Sequence, residues 1–260
     1  MSARVAARAL AWRVALASFA SLSVTVSVTG CGAKGAECSA FIGVINRDGE
    51  ALRKASIPRP KASPMDMATT MRATADAADT LAADVAKVSL TTPELKQIST
   101  DYQSMAKDAA GAARELGSVL DKIVVVENAA RASASDPAIA AMMNTSDTVA
   151  KYCAAHASPA CKSLKTAMSN LAALAVDPSK LDAFSNELGA IVTKEAELQA
   201  IVDSFAKTVK GAAAAMRSSA AAGDEIKRLT IDMQAAKTKL DAAIARESHL
   251  TKSINGFCSG

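Results

Sequence analysis

The sequence predicts an all-α fold, and three observations carry that prediction. Half of the 260 residues are apolar, much of that half is alanine, and aromatic residues make up only 3%. Alanine is the best helix former and a poor filler of wide cores, so this composition suits helices that approach closely through small side chains. Apolar residues also recur at alternating steps of three and four over long stretches, whereas no stretch alternates apolar and polar residues long enough to read as paired strands. Finally, Thr92-Pro93, Asp136-Pro137 and Ser158-Pro159 each place a capping residue directly before a proline, the usual chemistry of a helix start.

A first helix is expected from about Cys38 to Ala55, after a short Gly-containing tether, with Phe41, Ile42, Ile45 and Leu52 on one side. Residues 57–64 hold three prolines and read as a loop. Helical spacing resumes from Met65 to Val88 through Met67, Met71, Ala78, Leu81 and Val85. Thr92 is expected to cap the next helix, whose seam runs from Leu95 through Tyr102, Met105 and Leu116 to Ala130. Asp136-Pro137 starts a helix reaching about Cys153, and Ser158-Pro159 starts another that ends near Asp177-Pro178.

Two long helices are expected to close the chain. The first has Leu181, Phe184, Leu188, Ile191, Glu195, Leu198 and Phe205 on its seam through to Met216; the second, after Gly223, carries Ile226, Leu229, Leu240, Glu247, Leu250 and Phe257. A 3-4 spacing sustained in this way is the mark of coiled-coil-like packing. Helices of roughly 35–40 residues would be about 50–60 Å long. The expected architecture is therefore an elongated antiparallel helical bundle over residues 38–260. Glu195 and Glu247 interrupt otherwise apolar seams. Either is a buried acid fit for binding or proton chemistry, or it is a structural polar residue, at a seam that is partly open or as one that specifies register; the structural reading is preferred, since neither has a partner motif nearby.

The formal charge of +4 includes Arg4, Arg8 and Arg13, and residues 1–30 contain no acid, so the rest of the chain carries only +1 with both signs interleaved. With no basic stripe and almost no aromatics to stack bases, no nucleic-acid partner is expected.

Those three arginines precede a sixteen-residue uncharged stretch, Val14 to Thr29, shorter than the roughly 20 apolar residues of a spanning helix. Val28-Thr29-Gly30-Cys31 follows. This segment resembles the lipobox signal of bacterial lipoprotein precursors. The resemblance covers residues 1–31 and implies that residues 1–30 are cleaved, that Cys31 is acylated, and that residues 31–37 form a lipidated tether. Several acyl chains, at about 0.8 kcal/mol per buried CH₂, hold a protein stably on a membrane. The implied address is the bacterial cell envelope. Gly32, where an Asp would signal inner-membrane retention in well-studied families, points by the same analogy to the outer membrane.

Assigning Cys31 to lipid leaves Cys38, Cys153, Cys161 and Cys258, an even set in an exported chain. Three pairings exist. Cys153 and Cys161 lie eight apart across a helix–turn–helix junction, and Cys38 with Cys258 would join the first and last helices, so Cys38–Cys258 with Cys153–Cys161 is preferred. The competing reading is a metal site from Cys153, His156 and Cys161, which lacks a fourth ligand because the other histidine is His249.

Residues 30–35 formally match a GxGxxG pattern but follow no strand of a βαβ unit. No phosphate-binding loop, HExxH, GxSxG, EF-hand loop or Glu-x-x-His pair occurs. His156 reads as solvated, Tyr102 and Tyr152 as core-edge residues, and the methionines of 65–71 and 142–143 as core filler. No catalytic residue, metal or cofactor is expected. The expected role is a non-enzymatic interaction or structural module facing another envelope protein or the wall; the alternative is a bundle that holds a small ligand between helices.

Overall fold

The computed structural model describes residues 33–58, 62–156, 158–169 and 177–259. Seven helices occur among them and no strand: α1 (Ala33–Ala55), α2 (Pro64–Ala86), α3 (Pro93–Ala134), α4 (Pro137–Ala155), α5 (Pro159–Met168), α6 (Pro178–Gly189) and α7 (Ala196–Ser259). The chain is an all-α helical bundle. The residues of the lipobox, Val28, Thr29, Gly30 and Cys31, lie outside the described residues.

Local chemistry sets most of the helix starts. Ser63 and Asp66 form a reciprocal capping box before α2: the Ser63 hydroxyl accepts from the Asp66 N–H at 3.1 Å, and the Asp66 carboxylate accepts from the Ser63 N–H at 2.9 Å. Asp136 accepts from the Ala138 N–H, Ser158 from the Cys161 N–H, and Asp177 from the Ser179 N–H, so three more starts are closed by the residue before a proline.

The described residues divide into two compact units, one from 33–124 with 228–259 and one from 125–227. Each unit has its own core. Periodicity along α3 and α7 runs on across the boundary and carries no mark of it.

The first unit packs α1, α2, α3 and the C-terminal part of α7 around one core. Phe41 and Ile45 of α1, Met71 and Leu81 of α2, Leu95 and Tyr102 of α3, and Ile254 of α7 are all essentially inaccessible to solvent. Each such side chain contributes roughly 1.5–3 kcal/mol on burial. Phe41 and Tyr102 meet edge to face with ring centroids 6.4 Å apart. Alanines 68, 75, 78, 106 and 110 fill the positions between the large residues, which lets the helix backbones come close. Along α3 the seam is buried from Leu95 to Val119, apart from half-buried Ile98, and is only half-buried at Ile123, Val126 and Ala130, where the first unit ends.

The second unit surrounds Phe184 and Phe205, edge to face at 5.9 Å, with Val149 of α4, Leu164 of α5, Leu181 and Leu188 of α6, and Leu198, Val202 and Val209 of α7. Gly211 lies on α7 where a Cβ would stand 2.9 Å from that of Ala138, so glycine is what allows α4 this close to α7.

Three boundaries differ from expectation. Helix α1 begins at Ala33, inside the stretch expected to be a tether, because Ala-Lys-Gly-Ala-Glu contains no proline and Gly35 packs inward. The long helix expected over 181–216 is broken between Gly189 and Ala196. There the β-branched run Ile191-Val192-Thr193 leaves the helix; Gln199 accepts from the Thr193 N–H at 2.9 Å, and the Thr193 hydroxyl accepts from the Glu195 N–H at 3.2 Å. The break expected at Gly223 is absent: a Cβ there would meet nothing within 4 Å, no turn requires the glycine, and α7 runs through it. At the start of α3, which begins at Pro93 as expected, the Glu37 carboxylate of α1 accepts the N–H groups of Thr91 and Thr92.

Candidate functional site

The four described cysteines stand in two pairs. Cys38 at the second turn of α1 and Cys258 at the end of α7 have sulfurs 2.06 Å apart, within the first unit; Cys153 of α4 and Cys161 of α5 have sulfurs 2.13 Å apart, within the second. Both are at disulfide distance, in the preferred pairing. With their sulfurs joined, Cys153 and Cys161 have no thiolate left for a metal, and the His156 reading as a third ligand falls away. Among the described residues no group of three or more His, Cys, Asp or Glu side chains is gathered as a metal site would require.

His156 caps the end of α4. Its ring stacks on Tyr152 at 4.2 Å between centroids, and its Nδ1 lies 3.1 Å from the Tyr152 carbonyl oxygen. The Tyr152 hydroxyl in turn donates to Glu195 at 3.2 Å. Burial first, then this bond to a carboxylate, pushes the Tyr152 phenol above its ordinary acidity range. Glu195 therefore sits in the α6–α7 connection as an acceptor for Tyr152, and not on a helical seam as the spacing predicts. The available signal is local: Thr193 can bond its own backbone two residues on, as its hydroxyl does with the Glu195 N–H, and so favours a turn there.

Glu247 is where α7 places an acid in an apolar interior. It is 7% exposed and, among the described residues, makes no hydrogen bond or ion pair. Its neighbours around a void of about 10 Å³ are Leu52, Leu81, Met105, Ala106, Ala109 and Ile244. That volume holds one water at most. Burial without a charged partner pushes the Glu247 carboxyl up to about 7. Tyr102 shares this interior. It is fully buried, its hydroxyl has no hydrogen-bond partner, and burial together with the nearby Glu247 raises its pKa well beyond the ordinary phenol value. The seam at Glu247 is therefore closed, so the partly open branch of the structural reading does not apply there, while the register-setting branch stands.

The larger hollows of the first unit are open to solvent. One, of about 420 Å³, lies between α3 and α7 over Gly111, Ala112 and Ala243; Lys239 pairs with Glu115 at 2.7 Å and Arg246 with Asp108 across it. Another, of about 310 Å³, lies between α2 and α3, where Arg72 pairs with Asp121 and Arg114 with Asp79. Exposed pairs of this kind each contribute little to stability, typically below about 1 kcal/mol.

No motif around Glu37 marks its role in advance. From α1 its carboxylate accepts the N–H of Thr91 at 2.9 Å, the N–H of Thr92 at 3.2 Å and the Thr91 hydroxyl. The Thr91 hydroxyl, followed by the two backbone donors, holds the Glu37 carboxyl well down, at about 2. Among the described residues no helix is long and apolar enough to cross a membrane.

No protein-family model matches the chain, and no curated protein or solved structure matches it either.

Proposed function

We propose that this chain is the precursor of an acyl-anchored lipoprotein of the bacterial cell envelope, and that its helical units work as a non-enzymatic interaction or structural module. One observation carries the reading. Of five cysteines, four stand at disulfide distance in two pairs, and the fifth, Cys31, is the residue that the lipobox-like Val28-Thr29-Gly30-Cys31 would acylate. Disulfides persist in oxidising compartments, so the pairing and the export signal support each other from independent parts of the chain. The basic start and the uncharged stretch from Val14 to Thr29 supply the remaining features of a secretory signal.

A role as an interaction module draws on side-chain chemistry. The grooves between α2, α3 and α7 are edged by charges of both signs, a pattern that favours recognition of a protein surface by electrostatic complementarity. Outer-membrane placement, from Gly32, belongs to the same proposal.

The test is Cys31→Ser in the native host, with metabolic palmitate labelling and membrane fractionation. Loss of label and release from the membrane pellet are expected; a variant that still pellets with membranes overturns the anchor. Crosslinking and pull-down of the lipidated protein from intact envelopes should then recover a protein or wall partner.

A further inference from the structure

If Cys31 carries acyl chains, the point at which α1 begins constrains where the folded unit can stand. Only Gly32 lies between Cys31 and Ala33, the first residue of α1, and two residue steps span about 7 Å at most. The polar layer of one bilayer leaflet is itself about 5–8 Å deep, the difference between the full bilayer and its hydrocarbon core shared over two faces. Acyl chains seated in the hydrocarbon therefore hold the first turn of α1 within the headgroup layer or against it.

Three further contacts identify what shares that end of the first unit. Cys258, at the end of α7, is joined to Cys38. Lys34 places its ammonium 4.5 Å from the centre of the Phe257 ring. Glu37 holds the turn between α2 and α3 through Thr91 and Thr92. The first turns of α1, the 87–92 turn and the last turn of α7 thus form one face. Lys34 is exposed there beside a half-buried phenylalanine, and Lys87 and Lys96 are exposed on the adjoining segments. Cations beside an aromatic ring suit the boundary between water and lipid headgroups.

We infer that this end of the first unit is a membrane-contact face, seated on the headgroups of the leaflet that receives the acyl chains. The inference rests on acylation of Cys31. Its occupant is a lipid surface, and its determinant is the six-residue interval between Cys31 and the disulfide at Cys38, of which residues 33–37 are helical.

Tryptophan quenching tests it. Trp12, the one tryptophan, lies in the segment that cleavage would remove, so the mature chain offers a dark background. Ser89→Trp and Ser259→Trp place probes at exposed positions of the proposed face. Ile57→Trp places one just beyond the other end of α1, a 23-residue helix and hence about 34 Å long. Each acylated protein, its fatty acid verified by mass spectrometry and its fold by circular dichroism, is reconstituted into phosphatidylethanolamine–phosphatidylglycerol vesicles containing a headgroup spin-labelled lipid. Loss of emission is expected for Ser89→Trp and Ser259→Trp, with Ile57→Trp left bright. Equal quenching of all three, or quenching of Ile57→Trp alone, overturns the membrane-contact face while leaving the anchor intact. Mature protein without fatty acid overturns the anchor itself, and the face with it.

Discussion

Glu37 of α1 holds the backbone of Thr91, 54 positions further along, and so closes the entrance to α3 from a different helix. Helix starts leave backbone donors without intrahelical partners, and a carboxylate is the strongest neutral-pH acceptor for them. Here one carboxylate both satisfies the turn before α3 and fixes α1 against it.

The depressed Glu37 acidity makes this contact acid-sensitive. Its carboxyl is held at about 2, first by the Thr91 hydroxyl, against an ordinary value of 4.5. A lowered folded-state value contributes stability that is present above 4.5 and lost as pH falls toward 2. Glu37→Gln should lower the thermal midpoint at neutral pH and flatten its decline in that acid window, as followed by circular dichroism. A variant whose acid decline parallels that of the parent would show that the contact does not form.

Glu247 works in the opposite sense. Its carboxyl, raised by burial from 4.5 to about 7, favours the folded state fully below 4.5, and that advantage is lost as pH rises through about 7. At 1.36 kcal/mol per unit the full swing is about 3 kcal/mol. Urea titrations between about pH 5 and pH 8 should show the parent weakening with pH, and Glu247→Gln largely indifferent to it. Parallel pH profiles for the two proteins would contradict the closed, partnerless site.

The disulfides should differ in consequence. Cys38–Cys258 spans 220 positions and Cys153–Cys161 spans eight. By loop entropy, losing the long closure costs about 5 kcal/mol and losing the short one about 2–3 kcal/mol. Calorimetry of Cys38→Ser/Cys258→Ser and Cys153→Ser/Cys161→Ser double variants should rank them in that order. Mass spectrometry of envelope-derived protein should find no free thiol among the four; four free thiols would remove both closures and the oxidising address together.

Two glycines of α7 should respond oppositely. At Gly211 any side chain collides with the Ala138 Cβ, so Gly211→Val should destabilise the second unit by about 1–3 kcal/mol. Nothing lies near Gly223, so Gly223→Ala should stabilise by up to about 1 kcal/mol through helix propensity alone. Chemical denaturation of each variant checks the pair, and equal effects would contradict the close approach of α4.

Much of this fold was legible because its signals are local. The capping residues at Asp136 and Ser158 closed helices as their own chemistry predicts, and the 3-4 seam from Leu95 to Val119 is buried as its spacing predicts, with Ile98 half-covered. The pairing of Cys38 with Cys258 was readable because it joins the two ends of the helical stretch. Less legible was the break before Ala196. Seam spacing bridged it without interruption, since Ile191, Glu195 and Leu198 keep step whether or not the backbone between them is helical. Gly223 misled in the other direction, because a glycine among alanines costs a helix too little to end it.

The amino-acid sequence by itself determined that the chain is helical, where its capped helices begin and which residues turn inward, because propensity, capping and periodicity act within a few residues. Only the tertiary structure decided that two cores form instead of one, that Glu37 of a distant helix holds the backbone of Thr91 and Thr92, and that Glu247 faces Tyr102's interior with no partner. Those outcomes depend on which side chains from distant segments share a space and on how much water that space admits, and neither quantity is carried by the spacing of residues along a single helix.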